Sequence, residues 1–444
     1  MASDTGTRSH GRSRVAGSRA SRPAPSRRSA ESPSQAPGNR APHFRTRSGK
    51  AGSSRLQRLV LAELALAVLL VGWVVGMVAL AAAGVVAVAL LLLAFVRRRG
   101  RSLPEWLATA RELQARQRRA AQTPIPPGTE PALVPVMECE PALRTYSYGV
   151  RDRRPVGIVG DGTFVTAVLQ VEADATALRA ERSRQPLPLG LVRDALEVDG
   201  IRLESAQVVL HTQPAPALSL PRQSVAVANY LPLQELTGAP AVRITWIALK
   251  LDPELSAEAV AARGGGLTGA QKCVVRVADH LASRLTGAGF RARVLDEEEM
   301  ISALATSACA NPLVTADASR NEAARRTEET GRSWRCDNRR HTTYWIRRWP
   351  PLDGGRGGSL PEFLARVTAI PALATTFSLT VTRGERQEVS LSGHLRVTGR
   401  SDDELVAARR ALEAAVRQSG AGLSRLDREQ LPGMLATLPL GGAR

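Results

Sequence analysis

Residues 59–96 read LVLAELALAVLLVGWVVGMVALAAAGVVAVALLLLAFV and hold one charge, Glu63. As one α-helix this run would extend about 57 Å, against a hydrocarbon core of about 30 Å. A single crossing would leave nearly half of it outside the lipid. Two crossings fit, with a tight turn near Gly72–Gly76. Arg55 and Arg58 precede the run, and Arg97, Arg98, Arg99 and Arg101 follow it. Arginine is retained on the cytoplasmic side of short flanks, and only a hairpin keeps both flanks there. The reading is two transmembrane helices over about 59–75 and 78–96, within a segment 55–98. It makes the chain a multi-pass protein of the cell (inner) membrane with both ends cytoplasmic. A signal peptide does not fit the length of the run or the polar stretch ahead of it. A buried core hairpin of a soluble protein is the rival reading. Glu63 falls near the inner boundary, within reach of headgroups.

The charge of +19 is unevenly placed. Residues 1–58 hold 13 Lys or Arg against Asp4 and Glu31, and residues 97–121 hold eight Arg against Glu105 and Glu112. Residues 122–444 carry 39 basic and 36 acidic groups and so are close to neutral. The excess sits beside the apolar run, where it would contact anionic lipid at about 1 kcal/mol per residue. The body offers no basic face for nucleic acid. Only Lys50, Lys250 and Lys272 are lysines, a skew that a GC-rich genome writes. Cys139, Cys273, Cys309 and Cys336 lack zinc-knuckle spacing and are expected as reduced thiols.

Residues 1–54 contain almost no large apolar side chains and are expected to be a disordered basic tail. Residues 99–122 form an amphipathic juxtamembrane helix with Ser102 and Glu105 as a capping box. Leu103, Trp106, Leu107, Ala110 and Leu113 lie on one side. Trp106 and its arginines suit a membrane surface, or the helix meets a partner. TPIPPG, 123–128, opens the body, 123–444.

In the body, PVGIV and TFVTAVLQVE flank a turn at Gly160-Asp161-Gly162. AQVVLHTQ (206–213) and VRITWIALKLD (242–252) read as strands. SAEAVAAR (256–263) and about 270–286 read as helices. FRARVL is a strand and DEEEMISALA a helix. Residues 310–333 are polar and read as a flexible excursion. HTTYWIRRWP (341–350) is a strand, and SLPEFLARVTAI a helix capped by Ser359 and Glu362. TTFSLTVTRGERQEVSLSGHLRVTG is a hairpin turning near Gly384, and Ser401 with Glu404 caps a last helix to about Gln418. This alternation predicts an α/β cytoplasmic domain with a mixed sheet behind the transmembrane hairpin.

No chemistry-bearing constellation appears. Gly264-x-Gly266-x-x-Gly269 matches the dinucleotide fingerprint by letter but follows a helix instead of a strand. Ala270 stands where a phosphate loop needs Lys. There is no Gly-x-Ser-x-Gly elbow and no Asp-x-Asp. The acidic run Asp296–Glu299 complements a helix start, and Asp161 is a turn residue. His10, His43, His211, His280, His341 and His394 are unpaired at metal spacing, and His341 beside Arg339 and Arg340 has the most polar setting. The expected catalytic, cofactor-binding and metal residues are none, and no cofactor is implied.

Taken in order, the apolar hairpin, VGIVGDGTFVTAVLQVE, LDPELSAEAVAARGGG, TYWIRRWP and ARRALEAAV resemble the EccE component of type VII secretion systems from about residue 55 onward. The resemblance implies a non-enzymatic inner-membrane subunit of an ESX-like export complex, partnered by EccB, EccC and EccD, with the ATPase in EccC. It also implies an α/β cytoplasmic domain similar in outline to glycosyltransferases and without known activity. The missing Asp-x-Asp fits that, and the long basic tail departs from the pattern. A membrane-anchored glycosyltransferase-like enzyme is the alternative.

Overall fold

The structure, a computed structural model, describes residues 51–95, 97–98, 101–126, 128–149, 154–173, 186–213, 242–318, 325–350, 359–383 and 389–442, with side chains from 59 to 92 and from 106 onward. The basic tail expected over 1–54 lies, up to residue 50, outside them. So do the turn at Gly384 and the side chains of the Ser102 and Glu105 cap.

Apolar residues at alternate positions build one twelve-stranded sheet. Its strands are β1 (Arg144–Tyr148), β2 (Val156–Gly160), β3 (Val165–Ala173), β4 (Ser205–Gln213), β5 (Val242–Leu251) and β6 (Phe290–Val294). They continue as β7 (Thr327–Glu329), β8 (Trp334–Cys336), β9 (Arg339–Arg348), β10 (Ala374–Arg383), β11 (Val389–Gly399) and β12 (Gly422–Arg425). The spatial order is β7-β8-β9-β11-β10-β4-β5-β3-β2-β1, with β6 paired to β3 and β12 to β9.

Every pairing in this sheet is antiparallel. The expected α/β domain with a mixed sheet is therefore corrected. The strand–helix alternation has a different cause. Helix α4 (Gly266–Gly287) leads from β5 to β6, and those two strands flank β3 on its opposite edges. This is a split β-α-β unit: the parallel partners are held apart by an antiparallel strand. Sequence alternation alone does not distinguish that from a true parallel pair.

The same unit occurs again. Helix α8 (Asp402–Gln418) leads from β11 to β12, which flank β9. In the main sheet and its repeat helices each half runs strand, strand, strand, helix, strand, strand, helix, strand. In the first half the short helix is Leu189–Asp194; in the second it is α7 (Leu360–Thr368). The first half adds a small ladder of Glu197–Val198 with Ile201–Arg202 and a further short helix, Ala257–Ala262. The halves meet where β4 pairs with β10, from Ser205↔Thr382 to Thr212↔Thr375. The sheet is thus a tandem repeat joined at its centre.

One face is covered by the repeat helices. Val274, Val277, Ala278, Leu281 and Leu285 of α4, and Leu405, Ala408, Leu412 and Val416 of α8, pack on Leu169, Ile247, Leu249, Leu379, Leu395 and Val397. The opposite face is covered by α5 (Glu297–Ser307), by residues 133–143, by α9 (Gln430–Leu435) and by the segment after it. Asp296 and Glu299 start α5 with a full capping box.

This second face is unusually polar, and the reason is the irregular segment 436–442. A buried backbone without ladder partners must find them elsewhere. Gln207 Nε2 donates to Ala436 O (2.9 Å), and Gly441 N donates to Gln207 Oε1 (2.8 Å). Thr166 Oγ1 donates to Leu440 O (3.1 Å), Ser205 Oγ to Gly441 O (2.6 Å) and Ser307 Oγ to Thr437 O (3.2 Å). Gly441 has φ +96, and a Cβ there would stand 2.4 Å from Lys250 Cβ. Only glycine lets the segment lie so close to the sheet.

The polar stretch 310–333 is an excursion only in part. It contains α6 (Pro312–Ala318) and β7. Between them Arg326 is buried and paired with Asp337 (2.8 Å). Its guanidinium also donates to Pro131 O (2.7 Å) and Thr315 Oγ1 (2.9 Å). Glu138 accepts from Arg326 N (2.8 Å) and Thr327 N (2.7 Å). The polarity of the stretch belongs to the interior.

The N-terminal apolar run folds as α1 (Ala51–Val75) and α2 (Met77–Phe95), a hairpin turning at Gly76 (φ +131). Among the described residues no helix is long and apolar enough to cross a membrane. This corrects the expected two-span fold class. The apolar part of α1 begins only at Leu59, and α2 has 19 residues. Both lie at the short end of the about 17–25 residues over which a span is drawn.

Two outcomes are expected. Gln207→Leu leaves Ala436 O and Gly441 N buried without partners and lowers unfolding free energy by about 2–4 kcal/mol in urea titration. Arg326→Met leaves Asp337 as an unpaired buried charge and costs about 3–5 kcal/mol, part of which Asp337→Asn restores in the double variant.

Candidate functional site

The residues singled out by sequence do not converge. Gly264, Gly265 and Gly266 all have positive φ and join Ala257–Ala262 to α4, helix to helix. Gly269 is required for packing, since a Cβ there would stand 2.4 Å from Val260 O. Asp161 Oδ1 accepts from Thr163 N (2.8 Å), closing the hairpin turn. His211, His341 and His394 are buried within the sheet. Among the described residues no group of His, Cys, Asp and Glu could hold a metal ion. The four cysteines are buried and unbridged.

Two features do stand out, and they are continuous along the chain. The first is the helical hairpin. Its buried positions from 59 to 92 are Ala65, Gly72, Ala83 and Ala87. A Cβ on Gly72 would stand 2.5 Å from Ala83 Cβ, so the helices touch through their smallest residues. The large side chains point outward: Trp73, Val74, Val75, Met77 and Val78 are each 70–88% exposed. An apolar surface of this extent is an association surface.

The second feature is α3 (Leu103–Gln122), which follows the hairpin and is clamped to the body. Arg116 Nε and Nη2 each donate to a carboxylate oxygen of Glu329 at 2.9 Å. This planar two-point pair is 12% and 5% exposed. Gln117 Nε2 donates to Glu329 O (2.9 Å), and Leu431 N donates to Glu329 Oε1 (3.0 Å). Arg116 Nη2 also donates to Arg428 O (2.6 Å). Arg428 in turn lies over the Trp106 ring, 3.8 Å from its centroid, and donates to Trp106 O (3.2 Å). Trp106 is thus taken up inside the chain instead of at a lipid surface. Glu329, Arg116 and Arg428 were not foreseen. One signal existed: Trp106, Thr109, Leu113, Arg116 and Ala120 share a helical face, so an arginine lies on the apolar stripe.

A cleft of about 280 Å³ opens beside the clamp, between α3 and residues such as Glu138, Arg325 and Trp334. Arg325 Nη2 donates to Glu138 O (3.1 Å) across it. Burial, reinforced by Glu138, pushes the Cys139 thiol up, so it stays protonated and is a poor nucleophile or ligand. The polar groups here hold a helix. None forms a nucleophile–base pair among the described residues.

Comparison with known proteins adds to this geometry. Residues 239–346 match the EccE family model. Its description reads "Putative type VII ESX secretion system translocon, EccE", and the match takes in β5, α4, α5 and the clamp residue Glu329. The resemblance expected from the sequence is met over that stretch. The match supports a component of a type VII secretion translocon. No curated protein matches the chain. A solved structure it does match, alkyldihydroxyacetonephosphate synthase in P1, has 8% identity and a TM-score of 0.24. The alignment covers 60% of this chain and 42% of that one, so the chain spans under half of that structure, and the likeness carries no argument. Neither the EccE match nor the clamp supplies a catalytic group.

Glu329→Ala leaves Arg116 without its carboxylate in a nearly closed interface. Hydrogen exchange of the Leu107–Ala121 amides should then rise about 100-fold, reporting release of α3 from the EccE-matched region.

Proposed function

We propose that this chain is a structural, non-enzymatic subunit of a type VII secretion translocon. In this reading its apolar hairpin joins it to the membrane assembly, and its body docks partner subunits of the EccB, EccC and EccD kind. The observation that carries it is the hairpin itself, closed on Ala65, Gly72, Ala83 and Ala87 with its large side chains outward. Such a surface is stable only against another apolar surface, whether lipid or protein. The family match over 239–346 supports the assembly to which that surface belongs.

The clamp supports a scaffold role. A docked α3 makes the body follow the hairpin, so partners that bind either one are placed relative to the other. The basic flanks at 55–58 and 97–101 are proposed to contact anionic headgroups. The absence of Asp-x-Asp in the sequence counts against the glycosyltransferase-like alternative.

The test is purification of the tagged full chain from a detergent extract of its own cells. Co-purification of an ATPase subunit and further translocon subunits in fixed ratio is the expected outcome. Recovery of the chain by itself sinks the proposal. Substituting Val74, Val75 and Val78 together with Ser should reduce recovered partners at least tenfold while the body keeps its unfolding midpoint.

A further inference from the structure

The repeat allows each buried position in one half to be compared with its counterpart in the other. Across β3, β5 and β4 one row reads Val168, Ala248, Gln207. The matching row across β9, β11 and β10 reads Thr343, Arg396, Thr376. Ala248 and Arg396 are both fully buried and occupy equivalent places on the polar side of the sheet. The fold is therefore built equally well with a methyl group there. An arginine at that position needs another reason.

Its partners do not account for it. Arg396 Nη2 donates to Ser307 O and to Thr376 Oγ1. Nε and Nη1 have no hydrogen-bond partner among the described residues. The same holds for Thr343 Oγ1, directly across from Arg396, for His341 Nε2 two residues further along β9, and for His394 Nδ1 two residues along β11. Thr343 and Arg396 share one cross-strand row, with His341 and His394 in the rows on either side of it. Among the described residues no carboxylate acts on Arg396; the groups of potential opposite sign that reach it are the thiols of Cys309 and Cys336, and burial with Asp337 pushes Cys336 up. Burial, then Arg396 and Arg339, hold His341 well below its ordinary value, so the ring is neutral. Arg339 is occupied with Cys309 O and Ala310 O. Among the described residues these rows supply a buried guanidinium and further donors, and no anion. An uncompensated charge at this depth is strongly destabilising.

We propose that the interior between β9, β11 and the end of α5 binds one halide ion, held by Arg396 Nε and Nη1, the Thr343 hydroxyl and His341 Nε2. Thr398 Oγ1 lies 3.0 Å from His341 Nδ1; the proposed site uses the tautomer in which this hydroxyl donates to Nδ1 and the ring proton sits on Nε2. The ligand class follows from the enclosure. Arg396 and His341 are both fully buried, and interiors are packed without voids much larger than a water molecule. A chloride-sized sphere satisfies donors from several directions at once.

The test measures thermal unfolding of the purified full chain in chloride, bromide and gluconate salts at equal ionic strength. Chloride and bromide should raise Tm by about 1–3 °C per tenfold increase, and gluconate should not. Arg396→Met should abolish the difference between salts. Thr343→Val copies its counterpart Val168, so it keeps the fold and should at least halve the halide slope. Crystals grown in bromide should show an anomalous peak in contact with Arg396. Equal Tm in all three salts, or water alone at Arg396 in those crystals, overturns the proposal.

Discussion

The pairing of β4 with β10 holds the body together. Eight residue pairs, from Ser205↔Thr382 to Thr212↔Thr375, join two like halves into one sheet. Both strands are buried on both faces, so each contributes to two layers at once. The helix-covered core runs across this seam without a break, from Leu169 and Leu281 on one side to Val397 and Leu412 on the other. Separate cores would bury less apolar surface per residue and be correspondingly weaker. Both split β-α-β units and the segments that close the second face depend on the seam for their platform.

The two faces meet the demand for buried surface in different ways. One uses regular helices whose own backbone bonds are internal, so the strands opposite can be wholly apolar. The other is closed by α5, α9 and the irregular segment 436–442. There Gln207, Ser205 and Thr166 satisfy carbonyls and amides that no ladder reaches. Polar residues on that face are a requirement of the cover, and a catalytic explanation for them is unnecessary. Arg396 is an exception, together with Thr343, His341 and His394, because the described neighbours leave some of their polar atoms unmatched.

Much of the local structure was legible from the sequence. The turn at Gly160-Asp161-Gly162, the helix start at Asp296, the cap at Ser359 and the stripe Val274–Leu285 all appear where residue chemistry puts them. These signals are local, set within one turn of helix or one hairpin. Pairing between distant strands is not local, and there the reading failed. The alternation of strands and helices suggested a mixed sheet because a split β-α-β unit and a true parallel pair have the same order along the chain. The repeat was hidden because its halves differ in kind: Gln170, Trp246 and Val209 form a row in one half and Trp345, His394 and Ser378 in the other. Residues 310–333 looked solvent-facing because charge reads as exposure until its partner is known, and Asp337 is that partner for Arg326. The clamp combined both difficulties. Arg116 was visible on an apolar stripe, but Glu329 lies 213 residues away.

That separation bears on the order in which the molecule is put together. Arg116 also needs Arg428, 312 residues on. At about 5–20 residues per second, roughly 15–60 s pass between synthesis of α3 and of its last clamp residue. During that interval the hairpin is tethered to a growing chain but steered by nothing downstream. It is free to find its own surroundings before the body exists. Closure of the clamp then comes late, and draws the finished body toward a hairpin that has already settled.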